Sequence, residues 1–201
     1  MPSSPKIPKE TILEHALNTL IRDGYNALNI KALAKEIGCS TQPISWHFGS
    51  MDGLRAELGK YALLYANRKL HPTSVGVQAF IDVGTAYVGI AFDEPKLFQY
   101  LYMSADSGYF GDGFDALMTR RDNVDLVEPI AMSLHITEKK ALLFCKNMII
   151  YTHGLASYVA SGLVKATKDE VIQMMHQASE GFLIRAGVPL DKIPLHYEGQ
   201  L

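Results

Sequence analysis

Residues 38–54 read GCSTQPISWHFGSMDGL, and the fold of the chain turns on how this stretch is read. Glycines at 38 and 49 bound a segment long enough for only about two helical turns. Ser40 can cap that short helix, which puts Pro43 at its third position, where a missing N–H costs no intrahelical bond. Ile44 and Phe48 then lie one turn apart as an inward anchor. Thr41, Gln42, Ser45 and Trp46, the only tryptophan of the chain, point elsewhere. The segment therefore predicts a helix held by two apolar side chains and otherwise presenting small polar groups and one indole.

Upstream, Ile12, Leu13, Ala16, Leu17, Leu20 and Ile21 repeat at the spacing of one buried helix face, closed by Asp23-Gly24. Asn29 is placed to cap a second helix whose stripe is Ile30, Leu33, Ala34 and Ile37, and Gly38 stops it. Three short helices, the last two joined by a tight glycine turn, describe a helix-turn-helix, in which the final helix enters the DNA major groove. Downstream, Ser50 can cap a longer helix from Met51 to about Leu70, with Asp52 near its positive end. Helical patterns follow at roughly 74–92, 94–103, 113–134, 137–163 and 167–186, the last opening on the capping box Thr167-Lys168-Asp169-Glu170. SADSGYFGDG at 104–113 is the clear break. The expected fold class is all-α, with a helix-turn-helix domain over 1–55 and a helical domain over 56–201.

The net charge of −2 over 201 residues divides unevenly: residues 1–70 carry +3 and residues 71–201 carry −5, an anion-binding front on an acidic body. Apolar runs are too short to span a bilayer, and the first residues lack an apolar signal core, so a cytoplasmic location and no membrane partner are expected. Cys39 and Cys145 lie far apart, as reduced packing thiols do. No nucleophile–base–acid set stands out, neither HExxH nor GxSxG occurs, and His135, His153 and His176 lack metal-ligand spacing. The chain is therefore expected to be no enzyme and to need no metal or cofactor.

Residues 12–54, ILEHALNTLIRDGYNALNIKALAKEIGCSTQPISWHFGSMDGL, resemble the DNA-binding domain of the tetracycline-repressor (TetR) family of bacterial regulators. The likeness is carried by a first helix ending in glycine, the segment Ala32 to Ser40, and above all Trp46-His47-Phe48. It implies that Lys31 offers a basic contact from the second helix and that His47 approaches a phosphate. It also implies that base contacts concentrate at Ser40, Thr41, Gln42 and Pro43. Gln42 can pair with adenine in bidentate fashion, Thr41 or the Pro43 ring can touch a thymine methyl, and Ser45 and Trp46 complete the surface. The sequence departs from the family at Ser45, where tyrosine is usual, and at Met51, where lysine is usual; Lys9 or Trp46 are the candidates for compensation.

Further along, Leu142, Cys145, Ile149, Thr152, Ala156, Val159 and Leu163 form a narrow heptad seam, with small residues beside it. Helices 137–163 and 167–186 resemble the homodimer interface of the family, which holds two reading heads on a pseudo-palindromic double-stranded DNA operator. Aromatic and Met residues around the 104–113 break suit an adaptable apolar pocket. The resemblance implies a small, largely apolar effector there, bound near Tyr87, Tyr100, Met103, Phe110, Phe114 and Met118, that releases a repressor from its operator. The alternative function is a helical ligand- or partner-binding module with a weakened DNA head.

Overall fold

The computed structural model describes residues 7–104 and 121–193, and the side chains of 121–124 are not described. Expected site residues Phe110, Phe114 and Met118 lie outside the described residues, as does most of the 104–113 break. Among the described residues every regular element is helical, so the all-α class holds.

Helix α1 (Lys9–Asp23) buries the stripe read from sequence, with Ile12, Ala16 and Leu20 fully enclosed. A 3-10 turn, Tyr25–Ala27, leads to α2 (Ile30–Ile37), where the Asn29 Oδ1 accepts the Ala32 N–H at 2.7 Å. Gly38 closes α2 at φ 77°, a left-handed conformation that strains any residue bearing a Cβ. Helix α3 (Gln42–Phe48) starts one residue later than the cap at Ser40 would give. Thr41 is the residue that precedes it, its backbone already helical and its carbonyl accepting the Ser45 N–H at 3.0 Å, and no side chain caps the helix. Pro43 consequently sits at the second position, which is as harmless as the third.

Helix α4 (Met51–Leu70) is capped as expected, the Ser50 Oγ accepting from Gly53 N–H at 3.1 Å. It buries a single file of Leu54, Leu58, Ala62 and Ala66 against α1 and α5 (Gly76–Asp93). The boundary expected after residue 55 falls inside this continuous helix. Helix α6 (Pro95–Phe98) runs directly into a π-helical turn, Gln99–Met103. Helix α7 (Arg121–Leu134) contains Pro129; α8 (Glu138–Ala160) and α9 (Lys168–Ala186) pack together, and the Thr167–Glu170 capping box on α9 is formed.

Two apolar cores result. One lies between α5, α7, α8 and α9, around Ile130, Phe144 and Leu183. The other is continuous from Ile12, Ile44 and Leu58 through Val88, Phe98 and Tyr102 to Ala156, so the helix-turn-helix shares its core with the helical body.

Candidate nucleic-acid interface

Helix α3 is fixed from within. Ile44 is fully buried and Phe48 nearly so, both in the core that α1 and α4 complete. Rotation by about 100° per residue then leaves Gln42, Ser45 and Trp46 on the opposite face, one turn apart, and all three are exposed, as are Ser40 and Thr41. Pro43 and His47 flank that face half-buried, and Lys31 is exposed on α2. Lys35, one turn further along α2, is exposed as well; a charged residue on a short helix carries no periodicity signal that could single it out from sequence.

The junction of α3 and α4 is close. A Cβ on Gly53 would lie 2.0 Å from the Phe48 carbonyl oxygen, so the first turn of α4 can seat against the end of α3 only without a side chain. Lys9 pins the same corner: its Nζ lies 2.6 Å from Glu57 Oε2 and 5.7 Å above the Phe48 ring. Hydrogen bonds from Lys60 and Lys9 hold the Glu57 carboxyl down at about 2. Lys9 is thus engaged with Glu57 and Phe48 within the head.

Two more of the singled-out positions have defined surroundings in the head. The His47 Nε2 donates to the Ile7 carbonyl oxygen at 2.9 Å, which fixes the ring against the chain entering α1. Met51 is half-buried against the core, whereas the Asp52 side chain beside it is 91% exposed. At the start of α4 the chain therefore presents a carboxylate and no lysine.

The head is linked to the body by polar and aromatic contacts. The Tyr25 and Tyr100 rings stack with centroids 4.9 Å apart, and the Arg55 guanidinium lies 5.1 Å from the Tyr25 ring. Lys96 Nζ donates to the Arg22 carbonyl oxygen at 2.7 Å. At the far end of α4, Tyr65 and Lys69 both donate to Glu94 Oε1 at 2.6 Å.

Within the body, the described residues expected to line a pocket, Tyr87, Tyr100 and Met103, have different surroundings. Tyr87 joins a cluster with Phe98 and Tyr102, ring centroids 4.8–5.1 Å apart, and its hydroxyl bonds His153 Nδ1 at 2.9 Å. A neutral His153 protonated at Nε2 satisfies both that contact and Ser157 Oγ at 3.3 Å. Burial pushes the His153 imidazole below its ordinary basicity. Tyr100 faces the other way, toward the DNA head, and Met103 is 43% exposed. Tyr100 and Tyr102 are two residues apart on one helical turn, a spacing that puts them on opposite sides of it. In the sequence a mid-helix histidine with buried partners looks like any other polar residue, so His153 is legible there only as packing or pocket lining.

The heptad seam is also divided. Cys145, Thr152 and Ala156 are buried inside the subunit, and burial pushes the Cys145 thiol up to about 12. Leu142 and Leu163 of the seam are exposed, and so are Leu143, Ile150 and Tyr158 on α8 and Met174 and Ile184 on α9. On the same two helices, a Cβ added at Gly154 or Gly181 would meet no atom within 4 Å, so the surface at both glycines is open.

Among the described residues no three His, Cys, Asp or Glu side chains could hold a metal ion, and no helix is long and apolar enough to cross a membrane.

Residues 12–58 match the profile of the bacterial regulatory proteins of the tetR family. Three solved structures share the fold across nearly the whole chain. A protein of unknown function from Rhodococcus sp. RHA1 is 24% identical, covering 92% of this chain and 98% of its own, with a TM-score of 0.63. A TetR-like transcriptional regulator from the same organism is 17% identical, covering 90% and 97%, with a TM-score of 0.56. TetR-Q116A from Acinetobacter baumannii AYE, in complex with minocycline, is 13% identical, covering 90% and 96%, with a TM-score of 0.56. No curated protein matches the sequence. The class defined by fold and site is thus a helix-turn-helix domain joined to a helical body. Residues 12–58 are similar to the amino-terminal domain of the tetR family of bacterial regulatory proteins.

Proposed function

We propose that the protein is a homodimeric, cytoplasmic DNA-binding transcriptional regulator, a repressor released from its operator by a small, largely apolar molecule. The observation that carries the DNA-binding part is the division of α3 into a locked inner face, Ile44 and Phe48, and an exposed outer face, Thr41, Gln42, Ser45 and Trp46. Gln42 has the amide needed for a bidentate adenine pair, and Lys31 and Lys35 can take phosphates from α2. Dimerisation is supported by the exposed apolar residues Leu143, Ile150, Tyr158, Met174 and Ile184 on two adjacent helices. A ligand site in the body is supported by the Tyr87–Phe98–Tyr102–His153 cluster, which combines ring area with hydrogen-bonding groups. The minocycline bound to the Acinetobacter TetR is in keeping with a small-molecule effector.

The second reading, a body that binds ligand or partner beneath a weakened DNA head, is favoured by exposed Asp52, half-buried Met51 and the engagement of Lys9 and His47. A mobility-shift titration with the DNA just upstream of its own gene separates the two. Saturable retardation that outlasts non-specific competitor supports the regulator; retardation no stronger than with random DNA supports the second reading. Light scattering tests the dimer: about twice 22.2 kDa is expected, and a monomer at micromolar concentration contradicts it.

A further inference from the structure

We propose that Trp46 is a specificity residue that reads the C5-methyl group of a pyrimidine in the major groove, one or two base pairs from the base contacted by Gln42. The inference rests on the DNA-binding function proposed above and gives its reading surface a chemistry. Trp46 is 65% exposed, on a helix whose apolar needs Ile44 and Phe48 already meet. It is the sole exposed large apolar side chain among described residues before Leu64. An isolated indole ringed by Gln42, Ser45 and Gly49 is not the contiguous apolar patch that a protein partner covers.

The indole is also braced. Its ring meets the His47 ring edge-on, centroids 4.9 Å apart at 83°, and His47 is itself held by the Ile7 carbonyl oxygen at 2.9 Å. A braced ring loses less side-chain entropy on burial than a free one. Trp46 follows Gln42 by four residues, a rise of about 6 Å, against about 3.4 Å between successive base pairs. In the major groove the base edges present hydrogen-bonding atoms, and the one apolar group among them is the pyrimidine C5-methyl. A large apolar surface carried into that groove therefore gains by meeting a methyl and loses by meeting bare acceptors and donors.

Thymine and 5-methylcytosine both supply this group, and one experiment distinguishes them. Duplexes enriched by the full-length protein from a random-sequence pool are the probe, with each thymine replaced singly by deoxyuridine and each cytosine by 5-methylcytosine. For a thymine reader, one position per half-site loses about fourfold in affinity on demethylation, the worth of one buried methyl group. For a methylcytosine reader, one cytosine gains by a similar factor on methylation. In either case the difference vanishes in Trp46→Ala and persists in Trp46→Phe, and circular dichroism confirms that both variants fold. Methyl-independent affinity at every position, or methyl sensitivity that survives in Trp46→Ala, overturns the assignment while leaving DNA binding intact. A pool that yields no enriched sequence overturns both.

Discussion

Tyr25, in the turn that follows the first helix of the DNA head, stacks on Tyr100 of the π-helical turn in the body, with centroids 4.9 Å apart and planes 20° from parallel. Tyr100 is 4% exposed, so the stack is interior and joins two parts of the chain distant in sequence by a rigid contact. The same turn carries Tyr102 into the Tyr87–His153 cluster and lets Gln99 donate to the Ala160 carbonyl at the end of α8. A change in the body that rotated this turn would move Tyr100 against the head. A ligand biases DNA affinity only by such a difference between two arrangements.

Because head and body share one core, they should unfold together. Fluorescence of Trp46, in the head, and far-UV dichroism, dominated by the longer body helices, should give coincident urea transitions. Tyr100→Ala should lower stability by roughly 3–5 kcal/mol, the usual cost of deleting a buried aromatic ring, and Tyr100→Phe far less. A Trp46 transition at distinctly lower urea than the dichroism transition in the parent protein contradicts the shared core.

Gly53→Ala should be among the most damaging single-methyl additions, since the new Cβ would lie 2.0 Å from the Phe48 carbonyl oxygen. Overpacking of this kind costs about 1–3 kcal/mol. Gly154→Ala, where a Cβ meets nothing within 4 Å in the single subunit, should leave monomer stability unchanged or slightly raised. Equal melting temperatures for Gly53→Ala and the parent would show that α3 and α4 do not meet as described.

His153 sets an acid limit to stability. Burial lowers its imidazole below the ordinary value of 6.5, so the folded protein takes up this proton less readily than the unfolded chain. Stability from this residue is full above pH 6.5, where both states are neutral, and falls as the pH drops below it. Melting temperatures measured from pH 8 to 5 should decline on the acid side, and His153→Gln should flatten that decline. An unchanged acid slope in the variant assigns it to other groups.

Much of the head is legible in the sequence because its signals are local. The Ile12–Leu20 stripe, the Asn29 and Ser50 caps and the Gly38 stop are each set by residues within one or two turns. The inward pair Ile44 and Phe48 follows from period alone. What escapes the sequence depends on contacts distant along the chain. Nothing in the sequence near Tyr100 says that it will stack on Tyr25, or that His47 will hold Ile7 and Lys9 will hold Glu57. In α8 the heptad spacing is real but ambiguous: an apolar stripe on a helix in the middle of a bundle serves the subunit core as readily as a partner. Cys145, Thr152 and Ala156 of the seam are buried within the subunit, while Leu142 and Leu163 of the same seam are exposed beside Leu143, Ile150 and Tyr158.

The central claim, that the outer face of α3 reads DNA, is tested most directly by Gln42→Ala on a duplex enriched by the parent protein. The variant should lose about 1–3 kcal/mol on that duplex and become indifferent to base identity at one position in each half-site. Lys31→Ala should weaken binding to all sequences alike and reduce the salt dependence. Parent affinity and parent base preference in Gln42→Ala would contradict the claim.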